Sequence, residues 1–266
     1  MMKKTVLWSL LGLFVSVFSA CSSDDNNEPT PNPSKQTAQL VTYQLDDQHR
    51  TITLDEIKYD AEGRITKLVT SIKYKTGGAD FTIERNYTYR KDSVFAVTNN
   101  GGYTKHFGAK LDEQGKIVSA KDEEGESRFT YSNGNQLTYI YETSYGSEYE
   151  STLTWQNGNI ISANVNNDKK DYTYTDYSAA DVVKLEETSM ALPDIYMLDP
   201  VLFKQGFYGA YPKNLIKTYT RKEYITENGE YKQVERTYTL TYTLGSNNKI
   251  TKITNEQGLT ETYTWK

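Results

Sequence analysis

The sequence predicts an all-β protein. It reads as a large antiparallel meander of roughly 14 to 16 strands forming an open or partial β-barrel of porin-like type, with one short helical insertion near residues 190–212. Three observations predict this. Tyr and Thr alternate in long runs, turn residues punctuate those runs at short intervals, and one turn pattern recurs down the chain without a fixed period.

Residues 1–20 stand outside the fold. Lys3 and Lys4 precede an apolar run from Val6 to Phe18 that is too short for a membrane span, and small residues follow, which is the layout of a secretory signal. Phe18-Ser19-Ala20-Cys21 resembles the lipobox of bacterial lipoproteins. The resemblance implies that Cys21 carries lipid (palmitate among the acyl chains) and becomes the mature N-terminus. Cys21 is the single cysteine of the chain, so no internal disulfide or thiol chemistry is available. Residues 21–38 are polar, acidic and Pro-rich, and they bury too little to fold, so they read as a tether. The run Ser22-Ser23-Asp24-Asp25 looks like the surface-export signal of gut-bacterial outer-membrane lipoproteins, which implies an anchor in the outer membrane and a domain facing the exterior.

Residues 39–266 are expected to form one β domain. The chain has 23 Tyr against 8 Phe, which favours pleated, half-buried surfaces. In 81–89, Phe81, Ile83, Tyr87 and Tyr89 share one face, and in 237–244, Tyr238, Leu240, Tyr242 and Leu244 do. Gly77-Gly78, Gly101-Gly102, Asn133-Gly134, Asn157-Gly158 and Asn228-Gly229 supply the left-handed residues that hairpins need.

The recurring pattern is a large residue, two or three polar residues, Gly or Asn, a polar residue, then Ile. It occurs as Tyr59…Gly63-Arg64-Ile65, Leu111…Gly115-Lys116-Ile117, Trp155…Gly158-Asn159-Ile160 and Leu244…Asn248-Lys249-Ile250, with a looser copy around Gly134. The spacing is irregular, so the pattern is turn punctuation and not a solenoid repeat. The large residue and the Ile are expected to pair across the strands and fix register. The turns resemble the YD repeats of Rhs-type shell proteins, which form long antiparallel sheets. One segment departs from the pattern. In 178–217, Asp199-Pro200 suits a helix start, a helix over about 199–206 is expected, and Gly206 and Gly209 would end it. This insertion would plug an open side or end of the curved sheet.

Taken together, the lipobox with its Ser-Ser-Asp-Asp, the YDAEGRI-type turns, the Tyr/Thr strands and GFYGAYPKNLI resemble a family of Bacteroides-type lipoproteins described as a domain of unknown function with a porin-like fold. The resemblance brings no catalytic residues.

Composition narrows function further. Loss of Lys3 and Lys4 with the leader takes the formal net charge from -5 to -7, and no basic stripe remains for nucleic acid. His49 and His106 sit in separate polar turns, so neither a triad nor a metal set is indicated, and no cofactor is expected. Carboxylates in turns, such as Asp112 with Glu113 or Glu123 with Glu124, leave a glycan hydrolase as the least favoured reading. Strands with Lys, Glu or Arg on both faces, as in 217–227, argue for a barrel hanging from the lipid and against one embedded in it.

The leading expectation is a non-catalytic, surface-exposed binding or structural module that meets a glycan or surface protein through Tyr-rich sheet. Trp155, Trp265, Tyr208 and Tyr211 are its candidate ligand residues. A carrier of lipid in the concave side, lidded by 190–212, is the alternative. Asp92-Ser93-Val94 resembles a short O-glycosylation motif, which makes Ser93 a candidate modification site.

Overall fold

A computed structural model describes residues 40–132, 135–179, 198–227, 230–246 and 249–265. The leader, Cys21 and the tether lie outside the described residues, as do positions 190–197 of the expected insertion. Sixteen strands run in chain order: β1 (Leu40–Asp46), β2 (Arg50–Tyr59), β3 (Ile65–Tyr74), β4 (Phe81–Tyr89), β5 (Ser93–Asn100), β6 (Tyr103–Leu111), β7 (Ile117–Lys121) and β8 (Gly125–Tyr131). They continue as β9 (Leu137–Ser144), β10 (Ser147–Gln156), β11 (Asn159–Val165), β12 (Asp168–Ser178), β13 (Asn214–Glu227), β14 (Glu230–Leu244), β15 (Ile250–Asn255) and β16 (Thr260–Trp265). Each strand pairs antiparallel with the next, and β1 pairs with β16 from Leu40↔Trp265 to Asp46↔Thr260. The barrel is therefore closed, where the sequence pointed only to an open or partial one.

Closure gives the molecule two ends. β1 enters and β16 leaves at one of them, and all the recurring turns lie there. Every predicted pair is formed: Tyr59↔Ile65, Leu111↔Ile117, Trp155↔Ile160 and Leu244↔Ile250, together with Tyr131↔Leu137 in the looser copy. Each pair sits beside a register shift, so each turn carries a bulge. In three of them a Thr hydroxyl on the bulge (Thr66, Thr138 or Thr251) donates to the facing carbonyl of Lys58, Thr130 or Thr243. In the looser copy Asn135 is left-handed at φ 64°, and Gly134 lies outside the described residues.

Between β12 and β13 the chain turns into this end and plugs it. Helix α1 (Pro200–Lys204) is capped by Asp199, whose Oδ1 accepts from the N–H groups of Val201 and Leu202 at 2.9 Å each. The helix is shorter than the expected 199–206, because Gly206 at φ +81° and Gly209 at φ +77° turn the chain sharply after Lys204. Val201, Leu202, Phe203, Phe207 and Tyr208 are all buried. Phe207 stacks on Tyr89 at 5.4 Å, and its carbonyl accepts from the Ile117 N–H at 2.8 Å. Gly209 passes so near the 132–136 turn that an added Cβ would lie 2.4 Å from the Asn135 carbonyl. A sixteen-stranded porin leaves a water channel, whereas here the plug and the inward side chains of the wall form one apolar core.

The polarity of the wall is the reverse of a lipid-facing barrel. Inward positions such as Leu45, Ile52, Leu68, Ile140, Ile160 and Ile253 are buried and apolar, while outward positions carry mostly Thr, Lys, Glu and Ser. Among the described residues no helix is long and apolar enough to cross a membrane.

Candidate functional site

Aromatic residues divide between the two ends. At the plugged end most of them are committed to the fold. Tyr89, Tyr131, Tyr174 and Tyr242 donate their hydroxyls to the carbonyls of Ile65, Ile117, Ile160 and Ile216, and Trp155 and Trp265 donate their indole N–H to Leu137 and Ile250 at 2.7 and 2.8 Å. Each bond ties the last part of one strand to the first part of the strand before it, so six hairpins share one lock. The cation after the turn glycine covers two of these rings: the Arg64 guanidinium lies 4.6 Å from Tyr89, and Lys116 Nζ lies 5.0 Å from Tyr131.

The four predicted ligand residues all lie at this end. Trp155 and Trp265 are partly buried and held by those carbonyl bonds. Tyr208 is fully buried against Phe129, and Tyr211 is partly buried against Phe203 at 5.1 Å. The plug brings Tyr208 and Tyr211 together, while Trp155 and Trp265 stand apart on β10 and β16. Ser93 begins β5, half-buried, with its hydroxyl donating to Asp92 at 2.9 Å.

At the opposite end, the rim, tyrosines face solvent. Tyr103, Tyr145, Tyr224 and Tyr231 are 55%, 81%, 68% and 80% exposed, against 2% for Tyr238 in the same strand as Tyr231. They form two clusters.

The first cluster surrounds Lys105. Its Nζ lies 2.9 Å from Asp122 and 2.9 Å from Glu124. Burial disfavours the charge on Lys105, but the two carboxylates outweigh it and hold the ammonium above its ordinary range. Burial likewise works against the Asp122 carboxylate. The bonds from Lys105 and from the Glu124 and Gly125 N–H groups win, and its pKa is lowered. Glu142 goes the other way. Burial and then the Asp122 charge push its carboxyl up, and its Oε2 is buried with no hydrogen-bond partner. The Tyr145 hydroxyl bonds Glu124, and its backbone N–H donates to the Glu124 carbonyl at 3.0 Å. β8 meets β9 here so closely that a Cβ on Gly125 would lie 1.5 Å from the Thr143 carbonyl.

The second cluster is a projecting hairpin. β13 and β14 pair from Thr218↔Thr239 out to Glu227↔Glu230, whereas β12 reaches no farther than Thr220 and β15 no farther than Leu240. The pairs from Arg221↔Arg236 outward thus form a free two-stranded tongue. Two arginines face each other at its root, and Glu223 stands between them, 2.6 Å from Arg221 and 3.7 Å from Arg236. Tyr238 donates to Glu223 and stacks on Tyr219 at 4.9 Å. Farther out, the rings of Tyr224 and Tyr231 lie 6.2 Å apart, tilted by 38°.

Three of the four carboxylates weighed for hydrolysis are occupied. Asp112 accepts from the N–H groups of Gln114 and Lys116, Glu123 accepts from the His106 N–H, and Glu124 holds Lys105. Among the described residues no group of three His, Cys, Asp or Glu could hold a metal ion. Sequence reasoning missed the rim tyrosines because buried and exposed Tyr alternate identically. The one available signal was length: the 214–244 runs outlast their neighbours and must overrun the wall.

Comparison with known proteins agrees with the architecture. A family model described as a domain of unknown function (DUF4595) with porin-like fold matches residues 57–252. A crystal structure of a porin-like protein from Bacteroides uniformis is similar at TM-score 0.61 and 17% identity, over 85% of this chain and 98% of that one. A porin-like protein from Bacteroides vulgatus aligns over 85% of this chain and 98% of that one at 10% identity and TM-score 0.33, too low to carry an argument. No curated protein matches.

Proposed function

The chain belongs to the DUF4595 family, a domain of unknown function with porin-like fold, and from that premise we propose that it is a lipid-anchored, non-catalytic display module of the bacterial outer membrane. Cys21 carries the lipid, the tether enters the barrel at Leu40, and the rim points away from the membrane toward a glycan or surface protein. The observation that carries this reading is the split of aromatics between the ends. Most tyrosines at the end where the chain enters are consumed by the fold, Tyr177 at 43% exposure being an exception, while Tyr103, Tyr145, Tyr224 and Tyr231 at the far end stay in water, where an exposed ring is costly unless something covers it. The polar outer wall supports a barrel held outside the bilayer, since Lys and Glu facing lipid would be strongly destabilising.

Three measurements test the reading. Brief protease treatment of intact cells should cut the domain, and Cys21→Ala should release it from the membrane fraction. A domain untouched on intact cells, or membrane retention of the Cys21→Ala chain, would sink the anchoring and exposure. Tyr103→Ala/Tyr145→Ala and Tyr224→Ala/Tyr231→Ala should each weaken adhesion of the purified chain to a cell-surface glycan array or to cell-envelope protein. Equal adhesion by all variants would remove the rim from the reading.

A further inference from the structure

A groove of about 770 Å³ crosses the outer wall over β5 to β8, away from the rim tyrosines. Its cause is local. Phe95 pairs with Gly108, which has no side chain, so the ring has room over the neighbouring strand. A Cβ on Gly108 would meet Phe95 at 3.5 Å. The ring remains 38% exposed in the groove, with the Arg90 guanidinium 4.8 Å above it. Covering a glycine with a cross-strand aromatic accounts for the Phe95 position alone. It does not account for the row beside it.

Register sets that row. Ser93 pairs with Lys110, Lys110 with Ser119, and Ser119 with Arg128. Lys110 and Arg128 therefore flank the Ser119 hydroxyl from either side, two strand spacings or about 10 Å apart along the wall. Both are exposed, and among the described residues neither forms an ion pair within 4.0 Å. The next pair, Lys121 with Glu126, is joined at 2.9 Å and adds no net charge, and Glu126 also interacts electrostatically with Arg128. The groove thus offers the uncovered part of the Phe95 ring beside the Arg90 guanidinium, two cations beyond ion-pair distance of any described carboxylate, and hydroxyl donors, with the Asp92 carboxylate also in its lining, on a chain that is acidic elsewhere.

We propose that this groove binds an acidic saccharide. A sugar ring would lie against Phe95, and its carboxylate or sulfate would sit between Lys110 and Arg128 with Ser119 donating. A carboxylate accepts a fork of two N–H bonds from Arg, and a sulfate satisfies the same donors, so both sources share one chemistry. A volume of about 770 Å³ lies within the range of small-ligand sites, roughly 300–1,000 Å³.

The test is affinity electrophoresis of the full chain in gels containing polygalacturonate, dextran sulfate or neutral dextran, at low and at moderate salt. Retardation by an acidic polymer and not by dextran is expected, weakening as salt rises. Lys110→Gln/Arg128→Gln should raise the apparent dissociation constant about tenfold or more. Ser119→Leu keeps both charges but fills the floor, and it should also lose binding. Circular dichroism checks that each variant folds. Retardation by one acidic polymer alone identifies the carboxylate or the sulfate as the source. No retardation, equal retardation by dextran, or undiminished binding by the double variant would overturn the proposal. The rim variants serve as the contrast, because they should leave this binding unchanged whether or not the rim itself binds a partner.

Discussion

Glu142 is the residue on the rim whose environment is least balanced. Its neighbours Asp122 and Glu124 share Lys105, while its own Oε2 is buried without a partner. Its pKa is raised by burial first and by the Asp122 charge second. A carboxyl with a raised pKa binds its proton more tightly folded than unfolded, so ionising it costs stability. That cost is absent below the ordinary glutamate value of 4.5, grows as pH rises through the raised folded value, and is complete above it. Glu142→Gln removes the charge and offers an amide donor to the acidic neighbours, which should stabilise by about 1 kcal/mol at pH 7. For a domain this size that is about 2–4 °C in Tm. Thermal melts of both chains should therefore differ at pH 7 and converge near pH 4. A variant that melts lower at pH 7 would show that Glu142 has a partner in solution. No sequence pattern marks Glu142, since its three polar neighbours come from β6 and the β7–β8 turn.

The recurring turn belongs to the next scale, and there the sequence is most legible. The pattern of large residue, polar residues, Gly or Asn, and Ile predicted the cross-strand pairs, because register follows from side-chain period and turn length alone. The lock was hidden, because it joins each aromatic to a carbonyl near the start of the preceding strand, 14 to 26 residues earlier in the chain. The irregular spacing also has its reason. The plugged ends of the hairpins are alike, while their rim ends vary from the five residues of β7 to the fifteen of β14. Within the turn the Asp acts as an acceptor. Asp112 takes the N–H groups of Gln114 and Lys116 at 2.9 Å each, and Asn255 does the same for Gln257 and Leu259 at 3.0 Å at the opposite end. An amide therefore suffices. Asp112→Asn should stay within about 0.5 kcal/mol of the native chain, and Asp112→Ala should lose about 1 kcal/mol or more as two N–H groups lose their acceptor. Urea denaturation midpoints at constant slope measure both. If Asp112→Asn proved as damaging as Asp112→Ala, the negative charge would matter and the turn would be more than punctuation.

At the scale of the whole molecule the unforeseen feature is closure, whereas filling by the insertion was expected, and both are non-local. Leu40 and Trp265 are partners at opposite ends of the chain, and nothing in either run specifies the other. Closing the wall removes its edges, which would otherwise offer unpaired strands to other chains. It also creates an interior that sixteen strands would leave wet without the plug. The plug thus decides whether the barrel is a channel or a solid, and Phe207 is the residue that couples it to the wall. It is 1% exposed, stacks on the lock residue Tyr89, and lends its carbonyl to Ile117 at the start of β7. Phe207→Ala would leave a cavity between plug and wall and cost about 3–5 kcal/mol. The strands should survive this, because their ladders and locks do not pass through the Phe207 ring. The expected signature is a Tm lowered by several degrees, retained far-ultraviolet β signal, and new binding of a hydrophobic dye at pH 7. An unchanged Tm without dye binding would mean that the interior is filled by something other than residues 198–211, and the barrel would have to be regarded as a container instead of a solid support for its rim.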